Sequence, residues 1–126
     1  MAQSSPFNKM IVLVVEDEPL LRMMAVDLVE EAGFEALDAG NADEAVRILE
    51  TRPDIRIVFT DIDMPGSMDG MMLAASVRDR WPPIEIIIVS GQRRLADKDL
   101  PIRSVFYSKP YDTNTVIAKL QEMAAA

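Results

Sequence analysis

The sequence predicts an α/β fold in which one parallel sheet of five strands is covered by helices on both faces. Continuous apolar runs at Met10 to Val15, Ile57 to Phe59 and Ile86 to Val89 have strand length and lack polar alternation, as strands buried on both faces do. Helical spacing fills the stretches between strands, so successive strands can be joined by right-handed helical crossovers. The 126 residues, 49% hydrophobic and 27% charged, suit one domain over residues 1–126, with residues 1–8 as a flexible N-terminal tail.

After the first strand, Pro19 suits a first helical position, and Leu21, Met24, Leu28 and Ala32 recur at helical spacing until Gly33 stops the run. Glu35 to Ala39 reads as a short strand closed by Gly40. Asn41, with Glu44 three residues on, resembles a capping box before Ala45, Val46 and Leu49; Pro53 ends that helix. The third strand stops at Asp61, and a loop runs from Ile62 to Asp69. Gly70 opens a helix with Leu73 and Val77 inward, and Trp81, Pro82 and Pro83 end it. Ile86 to Ser90 is the fourth strand and Val105 to Ser108 the fifth. Between them, Gly91 to Pro101 leaves room for a turn or two of a short fourth helix. Asp112 or Thr113 caps the last helix, on which Val116, Leu120 and Met123 line one face before a fraying alanine tail.

Composition narrows the function. With no cysteine there is neither a disulfide framework nor a thiolate metal site. With no histidine, any phosphohistidine chemistry needs a partner to supply the imidazole. A net charge of -8 repels a polyphosphate backbone, so direct nucleic-acid binding is not expected. No run approaches the length that spans a bilayer and the N-terminus has no apolar export stretch, so a cytoplasmic protein is expected.

The chemistry concentrates at strand ends. The third strand ends on Asp61, after which Pro65 and Gly66 turn the chain; the first ends on Glu16 and Asp17. In an open parallel sheet those ends face the crevice where ligands bind. Taken singly, each residue has a plainer reading: an aspartate capping a turn, a serine closing a strand at Ser90, a solvated lysine before a proline at Lys109. Their joint placement at four strand ends outweighs those readings. Three carboxylates in contact repel by about 4 kcal/mol per pair at an effective dielectric near 20, so they take up protons or bind a cation. Magnesium is the hard, oxygen-seeking cation such a group suits.

From Lys9 to Met123 the chain resembles the receiver domains of two-component response regulators. The resemblance rests on Glu16-Asp17, on Asp61 followed by Met64-Pro65, on Gly70, on Ser90-Gly91 and on Lys109-Pro110. It implies a flavodoxin-like (βα)5 doubly wound parallel sheet with strand order 2-1-3-4-5, in a stand-alone single-domain receiver. It also implies that Asp61 accepts a phosphoryl group from a partner histidine kinase or phosphotransfer protein. Mg2+ would be held by Glu16, Asp17, Asp61 and the backbone carbonyl of Asp63, while Ser90 and Lys109 contact the phosphoryl oxygens. Lys109-Pro110 would be cis and turn Lys109 back toward Asp61. The signal would leave through a switch of Ser90 with Phe106, or alternatively Tyr107, on a face of the fourth helix, fifth strand and fifth helix that binds a downstream protein. Such a protein is not an enzyme beyond its own phosphoryl transfer and dephosphorylation.

Four features depart from the commonest family pattern. The loop Gly66 to Asp69 is one residue longer, Glu16 stands where aspartate is also common, Gly91 replaces alanine, and the aromatic three residues before Lys109 is Phe106 while the tyrosine is Tyr107. Strand alternation puts those two aromatics on opposite faces. Two other functions fit parts of the sequence. Asp61 and Asp63 match the Asp-x-Asp signature of haloacid-dehalogenase-like phosphatases, although that family carries it on the first strand, and a non-phosphorylated interaction module would keep the fold alone.

Overall fold

In the computed structural model, which describes residues 9–66 and 68–125, five strands form one parallel sheet. The tail expected over residues 1–8, part of the lengthened loop at Ser67, and the end of the alanine tail at Ala126 lie outside the described residues. The strands are β1 (Ile11–Val15), β2 (Glu35–Ala39), β3 (Ile55–Asp61), β4 (Glu85–Ser90) and β5 (Ser104–Ser108), in the order β2-β1-β3-β4-β5. That is the expected 2-1-3-4-5. The apolar runs became the three inner strands, and β1 is buried along its whole length. The outer strands β2 and β5 are mostly half-exposed, which is why their sequences are less uniformly apolar.

Helices α1 (Pro19–Glu31), α2 (Ala42–Thr51), α3 (Gly70–Arg80) and α4 (Thr113–Ala125) cover both faces. On one side Leu13, Val58, Ile86 and Ile88 pack with Ala45, Leu49, Leu73 and Val77. On the other, Val12, Val14, Phe59 and Ile87 pack with Leu28, Val29, Val116 and Leu120. Phe106 joins the first cluster and Tyr107 the second, as alternation along β5 requires.

Polar side chains cap three of the four helices of the described residues, at Asn41 and Asp112 as expected and at Asp69 in addition, while α1 starts on Glu18 and Pro19 with no side-chain cap. Asn41 Oδ1 accepts from Glu44 N at 2.8 Å, while the Glu44 carboxylate reaches back to Gly40 N rather than Asn41 N. Asp69 Oδ1 accepts from Met72 N at the head of α3, and Asp112 Oδ1 from Asn114 N at the head of α4.

Two expectations need correction. The fourth connection holds only a 3-10 turn, Asp97–Asp99, so among the described residues five strands are accompanied by four α-helices. Gly91 and Pro101 bound a stretch in which Leu95 and Leu100 are the only large apolar side chains, and a single turn closed by Asp99 N to Ala96 O is what forms. On α1, Leu28 and Ala32 are buried, but Leu21 and Met24 are exposed; Ala25 and Val29 complete the inward face instead. Leu21 and Met24 border a cavity of about 570 Å³ between α1 and the connection from β5 to α4.

Candidate functional site

The strand order makes β1 and β3 neighbours, and both stop at the same edge. Glu16 and Asp61 are buried there, Asp17 is half-buried, and one carboxylate oxygen from each lies within 4.8 Å of the others. Lys109 arrives from the end of β5. Its Nζ lies 3.2 Å from Glu16 Oε1 and 3.2 Å from Asp61 Oδ2, and the Lys109-Pro110 bond is cis. Lys109 N donates to Ser90 O at 2.9 Å, which fixes where the side chain departs. The expectation that Lys109 points back across the crevice thus agrees with the geometry.

Backbone contacts hold the acids in place. Glu16 Oε2 accepts from Glu18 N at 3.1 Å, and Asp61 Oδ1 accepts from Asp63 N at 3.4 Å. Gly70 is needed where α3 begins, because a Cβ there would sit 2.0 Å from Asp61 O and 2.7 Å from Ile62 Cα. At Gly91 a Cβ would meet only Lys109 Cβ, at 3.8 Å, so glycine leaves open a space that alanine could occupy.

Burial raises the Asp61 pKa above the ordinary carboxylate range, and the nearby Lys109 only partly opposes it. Burial likewise raises Glu16, opposed by the Glu18 amide and Lys109. For Lys109 burial acts downward, but Asp61 and Glu16 together outweigh it and the ammonium is held more firmly than usual. Lys109 thus pairs with two of the three carboxylates, and oxygen is the only donor type the three offer. This donor set and its uncompensated charge fit a hard divalent cation such as Mg2+.

Ser90, fully buried at the end of β4, takes an unforeseen partner. Its Oγ donates to Asp63 Oδ2 at 2.7 Å and accepts from Gln92 N at 3.1 Å and Arg93 N at 3.0 Å. The Arg93 guanidinium lies 3.9 Å from Asp63 and 3.6 Å from Asp69. In the receiver reading the sequence gave Asp63 a backbone role, its carboxylate entering only the phosphatase alternative, and nothing in its spacing pointed to a serine 27 residues on. Arg22 was missed as well: its Nη1 donates to Glu16 O at 2.9 Å while its Nε pairs with Asp38 at 3.1 Å, bracing the turn that carries the acids. Phe106 and Tyr107 lie one strand away, Phe106 beside Ile88 and Tyr107 beside Val89, both half-buried.

Comparison with known proteins agrees with this arrangement. Residues 12–121 match the response regulator receiver domain family. The chain is 34% identical over 116 residues to sensor kinase CckA of Brucella abortus (strain 2308), a match covering 89% of this chain but 12% of the kinase. It is 29% identical over 118 residues to the response regulator receiver protein CpdR of the same organism, covering 91% of this chain and 97% of CpdR. In length the chain therefore corresponds to a small part of one relative and to nearly all of the other. The fold is also that of the response regulator TrrA from Thermotoga maritima, solved in complex with Mg2+ and BeF, with a TM-score of 0.76, 24% identity, and coverage of 90% of this chain and 97% of that one. With the family's match spanning both the acidic strand ends and Lys109, the chain belongs to the response regulator receiver domains.

Proposed function

We propose that this receiver accepts a phosphoryl group on Asp61 from a partner histidine kinase or phosphotransfer protein and uses it to alter a protein-binding surface. One observation carries the reading: Glu16, Asp17 and Asp61 converge within 4.8 Å while Lys109 sits 3.2 Å from the Asp61 carboxylate. The donor imidazole must come from the partner, because the chain has no histidine. Asp61 Oδ attacks phosphorus, the N–P bond breaks with its electron pair staying on the imidazole, and an acyl phosphate forms. Such transfer needs an in-line nucleophile and positive charge on the equatorial oxygens more than covalent help.

Mg2+, held by Glu16, Asp17, Asp61 and the Asp63 backbone carbonyl, would neutralise charge on the entering phosphoryl oxygens. The Mg2+ and BeF complex of TrrA supports that reading by likeness of fold. Lys109 supplies the second positive charge and Ser90 a hydroxyl donor. Beyond its own phosphorylation and the hydrolysis that reverses it, the chain performs no catalysis in this account. We place it in the cytoplasm, with no contact to nucleic acid. No helix among the described residues is long and apolar enough to cross a membrane.

The output face is formed by the 3-10 turn, β5 and α4, the counterpart here of the expected fourth helix, fifth strand and fifth helix. Ser90 turning to the phosphoryl group frees room beside its loop, into which Phe106 rotates, with Tyr107 the second candidate. Moving such a switch from 1:99 to 99:1 takes about 5.5 kcal/mol, more than one serine hydrogen bond supplies, so either Lys109 and the aromatic packing contribute or the downstream protein completes the shift.

The phosphatase reading loses support because the Asp63 carboxylate, its would-be acid-base, is engaged by Ser90. The test is intact mass after incubation with acetyl phosphate and Mg2+. One phosphoryl group per chain is expected, and none on Asp61→Asn. Undiminished modification of that variant would overturn the assignment.

A further inference from the structure

We propose that the Asp63 carboxylate competes with a phosphoryl group on Asp61 for the one proton of the Ser90 hydroxyl, and so limits how tightly the site retains that group. The inference rests on the phosphoacceptor reading above. It concerns the side chain of Asp63, not the carbonyl assigned to the metal.

A serine hydroxyl has one proton to donate and two lone pairs to accept with. In this structure the proton goes to Asp63 Oδ2 at 2.7 Å, a charge-assisted bond, and the lone pairs receive Gln92 N and Arg93 N. Ser90 is fully buried and its hydrogen-bonding capacity is filled. A phosphoryl group on Asp61 can therefore be served by Ser90 only if the bond to Asp63 is given up.

Asp63 can tolerate that loss. Its side chain is 29% exposed, with the Arg93 guanidinium already 3.9 Å away. Arg93 also reaches toward Asp69, the residue that caps α3, so both loops flanking the site share this exchange. The result is a latch with two seats for one hydroxyl proton. Asp63 occupies the resting seat, and it opposes the phosphorylated one. Asp63 thus acts as a positioning residue through Ser90.

The prediction has an unusual sign: removing an acidic side chain from the site should strengthen it. Asp63→Ala keeps the backbone carbonyl and removes the competitor. Binding of beryllofluoride in saturating Mg2+, followed by titration calorimetry, should tighten about tenfold, which is about 1.4 kcal/mol. Asp63→Asn, which keeps an uncharged acceptor, should fall between the two. Deleting a negative charge could tighten binding without involving Ser90, so the same substitution is made in a Ser90→Ala background. There the gain should fall to less than about threefold.

A metal-free measurement stands beside it. Amide exchange at Gln92 and Arg93, whose N–H groups rest on the Ser90 hydroxyl, should quicken in Asp63→Ala without Mg2+ or mimic. Equal tightening in both backgrounds, no tightening, or unchanged exchange at those amides would each overturn the latch. If wild-type protein binds beryllofluoride and Asp63→Ala binds no better, the latch fails while the phosphoacceptor reading stands. If the wild type does not bind it at all, both fall.

Discussion

The two ends of the sheet are fastened in opposite ways. At the end where β1, β3 and β4 stop, buried acids crowd around one lysine and a serine is held by a partner it can exchange. At the other end the Arg78 guanidinium donates to four backbone carbonyls: Ile102 at 2.7 Å, Pro82 at 2.7 Å, Ile84 at 2.8 Å and Arg103 at 3.3 Å. Nearby, Arg80 pairs with Glu50 at 2.8 Å and lies 4.4 Å over the Trp81 ring. The segment between β4 and β5 starts at the first end, at Ser90, and returns to the second, at Arg103. Contacts that satisfy every group give a fixed anchor; contacts in competition give a releasable one. A switch needs both, because a segment loose at both ends has no direction in which to pass a signal.

The largest expected effect breaks the fixed end. Arg78→Ala removes the four donated bonds by which α3 holds the turn before β4 and the approach to β5, and should cost about 3 kcal/mol by urea denaturation. Affinity for Mg2+ should stay within about twofold. A matching loss of Mg2+ affinity would show that the two ends are not separate.

The next effect comes from the charged end. At a Mg2+ concentration 100 times its dissociation constant, linkage stabilises the native state by about 2.7 kcal/mol, readable as a raised Tm. A Tm indifferent to Mg2+ would mean that the three acids do not form a cation site.

Smaller than either is the effect of Asp61→Asn without metal. Because burial raises the Asp61 pKa in the folded state, its carboxyl favours the fold below its ordinary pKa of 3.8, and that contribution is lost as pH rises through the raised value. The variant should therefore be more stable than wild type at neutral pH, by less than the Mg2+ effect, with the difference shrinking toward pH 3. A variant less stable at neutral pH would mean that the Lys109 pair outweighs desolvation.

This contrast explains what the sequence could reveal. The inner strands were legible because burial on both faces demands unbroken apolar runs, and the acids stood out because each follows such a run directly. Lys109 was legible through its place before Pro110 at the end of β5. The far anchor was not, since an arginine bound to four carbonyls has no partner side chain for a pattern to include. For Asp63 the family resemblance assigned a role to the backbone carbonyl, whereas the carboxylate's contact with Ser90 depends on how two loops lie together. Leu21 and Met24 misled because helical spacing marks an apolar stripe without saying how far the covering layer extends. The missing fourth helix reflects the same limit, since a stretch with two large apolar side chains forms no more than its local hydrogen bonds support.

Amide exchange across residues 84–107, with and without Mg2+ and beryllofluoride, is the most direct test. Exchange should change at the Ser90 end, at Gln92 and Arg93, and extend through the 3-10 turn to Phe106. It should stay constant at Ile84, whose N–H is bonded to Trp81 O and whose carbonyl Arg78 holds. Changes confined to the Asp61 loop, with residues 92–107 indifferent to the mimic, would contradict the account and place the output surface elsewhere.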